Sequence, residues 1–269
     1  MSFALPAYLE RIGIGPVRPD MAGLFALQEA QLHAVPFENL DPLLGKVPEL
    51  GLDAVFDKIV LRRRGGYCFE LNGLFEAALK ASGFGPRRML ARVRMRTGTE
   101  SPRSHLVLRV EAEGRAFLAD AGFGGPGALA PIELDVPGEQ QAPNGAYRLT
   151  DDRERGETVL ERLGDEGWEQ LYAFDGARVS DGEVATANYV CATWPEAPFG
   201  SHATLGCYRG EIRYGLFDRA LTIEGGAGAT HRQLADFGEF AALVQDEMGI
   251  ALEREDLARA WEKIAPPEG

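Results

Sequence analysis

The chain places a glycine pair directly before an apolar helical pattern in the segment Arg64-Gly65-Gly66-Tyr67-Cys68-Phe69-Glu70-Leu71-Asn72-Gly73-Leu74-Phe75. The glycines allow backbone angles that are closed to other residues, and the apolar positions that follow recur at helical spacing. Cys68 is therefore predicted to lie near a helix N-terminus, where thiol pKa values fall to roughly 3.5 to 7.5. A lone cysteine is otherwise a buried packing residue, so a nucleophile needs partners elsewhere in the chain.

A histidine and an aspartate in a predicted sheet are the candidate partners. Residues 88 to 96 and 105 to 110 alternate in character, and the strand pattern resumes at residues 117 to 119, which predicts antiparallel strands. His105 and Asp120 lie within or directly beside these strands. An imidazole can take the thiol proton, and a carboxylate can fix the tautomer of the ring and support its positive charge. Together with the thiol, the two residues have the chemistry of a catalytic triad.

The register between these strands has two alternatives. A four-residue loop over residues 111 to 114 would place His105 directly opposite Asp120. A two-residue turn at residues 113 and 114 would instead pair Asp120 with Val107, which leaves His105 and Asp120 diagonal on one face. We favour the four-residue loop, because directly opposite side chains suit a carboxylate-imidazole hydrogen bond better. Asp120 could also simply open a turn before the glycines that follow it.

Four segments in this order resemble those of the arylamine N-acetyltransferase family: Val35-Pro36-Phe37-Glu38-Asn39-Leu40, Arg64 to Asn72 as quoted above, His105-Leu106, and Asp120-Ala121-Gly122-Phe123-Gly124. The resemblance implies that Cys68, His105 and Asp120 form the catalytic triad. It also implies that acetyl-CoA acylates the cysteine, and that an arylamine, arylhydrazine or N-hydroxyarylamine then takes the acetyl group.

The same resemblance implies an α+β fold with a cysteine-proteinase-like architecture of three domains, and the 269-residue length matches the bacterial members of the family. The expected domains are a helical bundle with the nucleophile, an antiparallel β-barrel with the histidine and aspartate, and an α/β lid, over residues 1–84, 85–195 and 196–269. The sequence pattern predicts helices over residues 4–12, 20–34 and 70–82, and short strands from residue 86 to about 193. It then predicts strands near 211–214 and 220–223 and helices near 237–248 and 253–264.

The resemblance also implies where the two substrates bind. In the family, the loop that matches Gly122-Phe123-Gly124-Gly125 borders the cleft for the pyrophosphate, and glycines let backbone N–H groups approach phosphate oxygens. The implied cofactor-binding residues are Ser104, Gly122, Phe123, Gly124 and Gly125. The implied pocket residues are aromatic: Phe37, Tyr67, Phe123 and Phe199. Aromatic side chains are more often core residues than ligand contacts, but the motif positions of these four make the two interpretations about equal.

One residue departs from the family pattern. Trp194 stands where the family often has a histidine, in a segment that meets the acyl donor or acceptor in relatives. We expect this difference to affect cofactor affinity and substrate range more than the triad.

The charge balance limits the partners that the chain can attract. A net charge of -13 and a pI near 4.9 repel nucleic acid and anionic membranes, so neither is a predicted partner. Coenzyme A is repelled as well, so its binding needs a local exception such as the glycine-rich loop. Every second residue of a strand points to the same face. We therefore expect the solvated face of a predicted strand to carry Arg92, Arg94 and Arg96.

The cysteines and the N-terminus predict a cytoplasmic protein. The chain has three cysteines without metal-like spacing, which predicts neither a disulfide framework nor a metal site. Cys191 and Cys207 are expected to be inert packing residues. No signal peptide or membrane-spanning run is recognisable. Whether the protein forms a homo-oligomer is left open.

Two other functions remain compatible with these residues. One is an amide synthase of the same fold, which would move a polyketide acyl chain onto an aryl amine without CoA. The other is a papain-like or transglutaminase-like thiol hydrolase, which shares the order of Cys, His and Asp. The Gly-Gly-Tyr-Cys segment and the glycine-rich loop after Asp120 favour the acetyltransferase over the hydrolase.

Overall fold

The computed structural model describes residues 3–95, 98–226 and 228–264. Its α-helices are α1 (Leu5–Ile12), α2 (Met21–Ala34), α3 (Leu40–Leu43), α4 (Leu52–Phe56), α5 (Cys68–Ala81), α6 (Asp181–Thr193), α7 (Phe237–Ala242) and α8 (Arg254–Lys263). A π-helical turn follows α4 at Asp57–Leu61 and another follows α7 at Leu243–Glu247, and a 3-10 turn lies at Pro198–Gly200. None of the described helices is both long and apolar enough to cross a membrane.

The strands form two antiparallel sheets. They are β1 (Phe37–Glu38), β2 (Arg87–Val93), β3 (Arg103–Ala112), β4 (Arg115–Ala119), β5 (Ile132–Glu133), β6 (Gly138–Ala142), β7 (Gly145–Asp152), β8 (Glu157–Gly164), β9 (Gly167–Phe174), β10 (Thr204–Arg209), β11 (Ile212–Phe217), β12 (Ala220–Gly225) and β13 (Gly228–Gln233). One sheet has the order β5-β4-β3-β2-β9-β8-β7-β6, and the other has the order β1-β10-β11-β12-β13.

The N-terminal region is helical, as the pattern predicts. Helices α1, α2 and α5 confirm the helices expected near residues 4–12, 20–34 and 70–82. Helix α2 begins where the Asp20 carboxylate accepts the Gly23 N–H at 2.8 Å, which satisfies one of the free donors at a helix start. Helix α1 ends at Gly13, whose φ of 76° is the left-handed conformation that glycine adopts without strain. The apolar faces of these helices share one core with the face of β3 that carries Leu106, Leu108 and Val110.

The eight-stranded sheet curls into a nearly closed barrel. Its two edge strands, β5 and β6, are bridged by one side chain. The Gln140 amide accepts the Glu133 N–H at 2.9 Å and donates to the Glu133 carbonyl at 2.8 Å. The bridge satisfies backbone groups that an open sheet edge would leave unpaired. The α+β fold with a central antiparallel barrel is therefore confirmed.

The hairpin that carries the predicted base and its carboxylate uses the shorter of the two expected turns. Ala112 pairs with Arg115 and Leu108 pairs with Ala119, so only two residues form the turn. Glu113 and Gly114 have φ values of 52° and 77°, as in the tight hairpin turns whose twist matches that of the strands. The favoured four-residue loop is wrong, and the alternative register is confirmed.

The short strands predicted up to about residue 193 are wrong for the last part of this region, where the structure has helix α6. A capping box begins this helix: Ser180 Oγ accepts the Glu183 N–H at 3.3 Å, and Glu183 accepts the Ser180 N–H at 2.8 Å. The Ser-x-x-Glu spacing was available in the sequence and specifies a helix start. The helix buries Val184, Asn188 and Cys191, and it packs against strand β3 and helix α3 rather than forming part of the barrel sheet.

The C-terminal region combines the five-stranded sheet with two helices. Strands β11 and β12 and helices α7 and α8 confirm the elements expected there. Leu257 and Ile264 of this region are buried, and the guanidinium of Arg219 lies 3.8 Å above the partly buried Trp261 ring. Strand β1 comes from the N-terminal region, so this sheet joins two distant parts of the chain.

The strand arginines do not share one environment. Arg94 is buried, and its Nη2 lies 2.7 Å from both Asp152 Oδ2 and Glu157 Oε2. Arg92 is partly buried, with its Nε 3.2 Å from Glu157 Oε1. The prediction that Arg94 lies on a solvated face is therefore wrong. Strand β2 ends at Val93, and its pairing register shifts just before that residue, so the alternation does not extend to Arg94. Arg96 lies outside the described residues.

Candidate active site

Two of the sequence motifs are in direct contact before helix α5. Gly66 forms a parallel bridge with Phe37, and its carbonyl accepts the Glu38 N–H at 2.9 Å. A Cβ on Gly65 would collide with the carbonyl oxygen of Pro36, so this close approach requires glycine. The glycine pair therefore fixes the start of α5 against β1.

A buried ion-pair network holds the same helix start. It consists of two cations and three carboxylates: Lys58, Arg64, Glu38, Asp41 and Glu70. Glu70 Oε1 lies 2.7 Å from Lys58 Nζ, and Glu70 Oε2 accepts the Tyr67 N–H at 3.2 Å. Burial raises the pKa of Glu70 to about 7, against the lowering effect of Lys58. The residue before the thiol is thus anchored through its own N–H group.

Cys68, His105 and Asp120 come together as predicted. His105 Nε2 lies 2.7 Å from Asp120 Oδ2, and His105 also hydrogen-bonds to Cys68. Because Nε2 is taken by the carboxylate, Nδ1 is the ring nitrogen left for the thiol. All three side chains are buried, with exposed fractions of 3%, 2% and 9% in chain order. The diagonal register is therefore close enough for a direct hydrogen bond.

Asp120 is surrounded by donors. Its Oδ1 accepts from Asn72 Nδ2 at 2.8 Å and from the Gly122 N–H at 2.9 Å, and the Tyr172 hydroxyl also hydrogen-bonds to the carboxylate. Burial raises the pKa of Asp120, but the charge of His105 and these hydrogen bonds outweigh burial and lower it below its usual range. The carboxylate is held ionised.

The pKa shifts place the proton on the imidazole. Burial lowers the pKa of His105, but the charge and hydrogen bond of Asp120 and the contact with Cys68 raise it to about 10. Burial raises the pKa of the Cys68 thiol, while His105 and the Leu106 N–H act in the opposite direction. The low thiol pKa expected from the helix terminus is not found, because burial outweighs it. Activation of the thiol depends on proton transfer to His105.

Three of the four predicted pocket aromatics form one cluster. The Phe199 ring centroid lies 6.2 Å from that of Phe37 and 5.7 Å from that of Tyr67. The Tyr67 ring is fully buried and its hydroxyl hydrogen-bonds to the Asn188 side chain. The fourth aromatic, Phe123, lies 5.2 Å from the His105 ring. An aromatic ring therefore lies beside His105, and Tyr67 links the cluster to Cys68, the next residue in the chain.

The glycines of the loop after Asp120 make room for the protein's own side chains. A Cβ on Gly122 would lie 2.8 Å from Asn72 Nδ2, and one on Gly124 would lie 2.7 Å from the Phe37 ring. Gly125 is packed in the same way against the ring of Phe123. These glycines thus let the loop lie against the triad and the aromatic cluster. Their part in binding a cofactor stays a prediction.

The predicted cofactor residue Ser104 faces the thiol through its backbone. The Ser104 carbonyl oxygen lies 3.6 Å from Cys68 Sγ and 3.5 Å from Cys191 Sγ. Two sulfur atoms therefore contact one oxygen in the buried part of the site. Trp194, the residue that departs from the family pattern, follows α6 directly and is 41% exposed.

Side chains from both sheets hold the loop in place. The Asn144 amide donates to the Gly127 carbonyl at 2.8 Å and to the Tyr208 hydroxyl at 3.1 Å. Arg213 Nη2 donates to the Gly124 carbonyl at 3.2 Å. The position of the loop thus depends on the barrel and on the C-terminal sheet together.

Sequence reasoning missed three polar residues of the site. Asn72 donates to the Leu106 carbonyl at 2.6 Å as well as to Asp120, and the Gln28 side chain accepts the Asp120 N–H at 3.0 Å. Asn72 could have been found, because it lies four residues after Cys68 on the same helix face. Gln28 and Tyr172 carry no comparable signal, since their contacts depend on tertiary packing.

One cavity lies apart from the triad. Its volume is about 440 Å³, and its lining includes Arg11, Arg63 and Arg209 but none of the triad residues. Arg11 and Arg209 donate there to the Ala34 and His33 carbonyls at the end of α2, which cations stabilise. Among the described residues, no group of three or more His, Cys, Asp or Glu side chains could hold a metal ion.

Known proteins resemble this chain over most of its length. A family model described as N-acetyltransferase matches residues 20–257. An arylamine N-acetyltransferase / N-hydroxyarylamine O-acetyltransferase of Salmonella typhimurium is 39% identical over 204 residues, which cover 75% of this chain and 72% of the relative. An arylamine N-acetyltransferase of Mycolicibacterium smegmatis is 34% identical over 94% of each chain. The solved structure of Mycobacterium marinum arylamine N-acetyltransferase in complex with CoA matches with a TM-score of 0.91 and 32% identity, covering 96% of this chain and 98% of that chain.

Proposed function

The chain belongs to the arylamine N-acetyltransferase family, and on that premise we propose that it transfers an acetyl group from acetyl-CoA to an arylamine, arylhydrazine or N-hydroxyarylamine. The transfer passes through a thioester on Cys68. The observation that carries this proposal is the buried arrangement of Cys68, His105 and Asp120 at the N-terminus of α5. The CoA complex of the related mycobacterial enzyme supports acetyl-CoA as the donor.

In the first half-reaction, the proton of the Cys68–His105 pair lies on the imidazole, and the Cys68 thiolate attacks the thioester carbonyl. The tetrahedral intermediate collapses, and CoA leaves as a thiol with the proton that His105 returns. Asp120 holds the ring tautomer and supports the imidazolium charge. The N–H groups of Cys68 at the start of α5 and of Leu106, which contacts the sulfur, are the proposed donors to the oxyanion.

In the second half-reaction, the amine nitrogen attacks the carbonyl of the acetylated Cys68. His105 accepts the proton of the amine, and the sulfur leaves as the carbon-nitrogen bond forms. The proton then stays on His105 beside the released Cys68 thiolate, which restores the free enzyme. Because CoA leaves before the amine reacts with the acetylated Cys68, the kinetics should be ping-pong.

The substrate contacts are proposed from the placement of the predicted residues. The cluster of Phe37, Tyr67 and Phe199 suits the apolar ring of an arylamine, and Phe123 is the residue of the glycine-rich loop whose ring lies beside His105. The backbone of that loop and Ser104 are proposed to line the path of acetyl-CoA. All three cysteines are free thiols, which fits the proposed cytoplasmic location.

Intact mass measurement after incubation with acetyl-CoA tests the nucleophile. The wild-type protein should gain one acetyl group, and Cys68→Ala should gain none. Cys207→Ala is the matched control, because Cys207 lies in a different core cluster, and it should be acetylated like the wild type. Acetylation of Cys68→Ala to the wild-type extent would remove Cys68 from the mechanism.

Donor selectivity tests the reaction class. With p-aminobenzoate or a hydrazine as acceptor, acetyl-CoA should support turnover at least as well as propionyl-CoA or malonyl-CoA. An amide synthase would instead leave all three CoA esters unused. Release of peptide fragments without any acyl donor would identify a thiol hydrolase.

A further inference from the structure

A second thiol lies beside the nucleophile. Cys68 Sγ and Cys191 Sγ are 3.6 Å and 3.5 Å from the same Ser104 carbonyl oxygen. The two sulfurs are therefore separated by no more than about 7 Å. A disulfide needs an S–S distance of about 2.05 Å, so the two side chains have to turn toward each other for the bond to form. Cys68 and Cys191 share one core cluster, whereas Cys207 lies in another.

Helix α6 holds Cys191 in this place. The Asn188 side chain accepts a hydrogen bond from the Tyr67 hydroxyl, and its amide donates to the Pro48 carbonyl at 3.0 Å. Cys191 follows Asn188 by three positions, so both lie on the helix face that meets the start of α5. Asn188 thus ties α6 to Tyr67, the residue before Cys68. This contact fixes the position of the Cys191 thiol.

The surroundings give the two thiols different chemistry. Cys68 has His105 as a base and the Leu106 N–H as a donor to its sulfur. Cys191 has neither, and burial alone raises its pKa to about 12. An oxidant that needs a thiolate will therefore react first at Cys68.

We propose that Cys191 is the resolving thiol of an oxidised Cys68, and that the two residues form a reversible disulfide. The Cys68 thiolate attacks hydrogen peroxide, the O–O bond breaks, and a sulfenic acid and hydroxide form. The Cys191 sulfur then attacks the Cys68 sulfur, so the S–S bond forms as the S–O bond breaks. The departing hydroxide leaves as water with the Cys191 proton. Two thiols and one peroxide thus give one disulfide and two waters.

Burial explains why an internal thiol is needed. The Cys68 side chain is only 3% exposed, so peroxide, which is close to water in size, reaches the sulfur more easily than a bulky thiol such as glutathione. Without a nearby thiol, further peroxide oxidises a sulfenic acid irreversibly to a sulfinic acid. A disulfide with Cys191 stops that sequence at a state that reductants reverse. The inference depends on the two sulfur positions and not on the identity of the acyl acceptor.

Peptide mapping of the full-length protein tests the proposal without an activity assay. After treatment with hydrogen peroxide and blocking of free thiols, we expect a cross-linked peptide pair that contains Cys68 and Cys191, and dithiothreitol should release it. Cys207→Ser should give the same cross-link. A wild-type map with sulfinic Cys68 and a free, alkylated Cys191 would overturn the proposal, whatever the variants do.

The Cys191→Ser variant provides the second measurement. Its Cys68 should pass to the sulfinic and sulfonic acids under peroxide exposure that leaves wild-type Cys68 recoverable by dithiothreitol. The readout is the fraction of Cys68 that can be alkylated after reduction, which should fall in Cys191→Ser and stay at the wild-type value in Cys207→Ser. Equal recovery of Cys68 in all three proteins would contradict a resolving role.

Discussion

At Asp120, one buried carboxylate accepts hydrogen bonds from the imidazole of His105, the amide of Asn72, the Gly122 N–H and the Tyr172 hydroxyl. These donors come from two strands, a helix and a loop, so a single residue joins the elements of the site. Its negative charge is also what keeps the proton on His105. Changes at this residue should therefore affect the chemistry more than the packing.

Replacement of Asp120 by Asn tests this role. The Asn side chain has the same shape, but it removes the charge that raises the pKa of His105 and can stabilise the wrong ring tautomer. We expect kcat to fall by roughly 10³ to 10⁴, by analogy with the loss in serine protease triads. Cys68 should also be alkylated more slowly by iodoacetamide at pH 7. Near-normal turnover would remove Asp120 from the triad.

The same variant gives a pH-dependent effect on stability. The pKa of His105 is raised to about 10 in the folded protein, against about 6.5 in the unfolded chain. The stabilisation from this shift is fully present below pH 6.5 and is lost as the pH rises through 10. The difference in free energy of unfolding between wild type and Asp120→Asn should therefore shrink by up to about 1.4 kcal/mol per pH unit between pH 7 and 10.

Urea unfolding at several pH values measures this difference. Groups that ionise in the same way in both proteins contribute nothing to the difference in free energy of unfolding. No further control variant is therefore needed. A difference that stays constant from pH 7 to 10 would show that His105 is neutral in the folded state.

Residues with local sequence signals were predictable, and residues defined by packing were not. Cys68 stands out because glycines and a helical pattern surround it in sequence. Tyr172 reaches Asp120 only because β9 pairs with β2 and β2 pairs with β3, and no short stretch of sequence specifies that order. Arg94 was misplaced for a related reason, since the alternating pattern runs past the actual end of its strand.

At the scale of elements, turns and caps decided where the sequence interpretation succeeded. The hairpin of β3 and β4 closes through Glu113 and Gly114 in a conformation that glycine favours, yet the predicted loop was two residues too long. A four-residue loop is a common alternative to a two-residue turn. Only the energy of the paired strands distinguishes the two turn lengths. Helix α6 was missed although its Ser180 and Glu183 spacing marks a helix start. The first error concerns the ends of two strands, and the second concerns a whole helix whose start signal is only four residues long.

The glycine-rich loop offers a prediction at the same scale. In Gly124→Ala the new Cβ would lie 2.7 to 2.9 Å from three carbons of the Phe37 ring, so the ring has to shift. We expect the free energy of unfolding to fall by about 1 to 3 kcal/mol, as overpacked cores do. The KM for the arylamine should rise as well, because the proposed pocket changes shape.

Gly85→Ala is the matched control for this change. No atom would lie within 4 Å of its Cβ, and its free energy of unfolding should stay within about 0.5 kcal/mol of wild type. Steady-state kinetics and urea unfolding on both variants make the comparison. Similar effects in the two proteins would argue against the contact with Phe37.

At the scale of the whole molecule, Asn39 joins the first third of the chain to the last. Its buried amide donates to the Phe199 and His202 carbonyls at 3.0 and 2.7 Å, and it accepts the Thr204 N–H at 2.7 Å. One side chain thus satisfies three backbone groups of the segment that carries Phe199. The placement of that pocket residue depends on a contact 160 residues away in sequence.

Asn39→Ala should loosen this connection. Each hydrogen bond contributes about 1 kcal/mol net, so the loss of three should lower the free energy of unfolding by roughly 2 to 4 kcal/mol. Limited proteolysis should cut the segment around residues 194 to 204 faster than in wild type. Gln141→Ala, at an exposed position in the barrel, is the control and should match the wild-type cleavage pattern.

Strand β1 has a consequence for how the protein is made. Phe37 pairs with Gly206, and a ribosome adds the intervening residues at about 5 to 20 per second, so the partner emerges roughly ten to thirty seconds later. A nascent chain halted before residue 206 would already contain Cys68, His105 and Asp120, yet the edge of β1 would be unpaired. Strand β1, which contacts Gly66 before α5, is therefore paired with β10 only late in synthesis, and until then its exposed edge is open to chaperones and to aggregation.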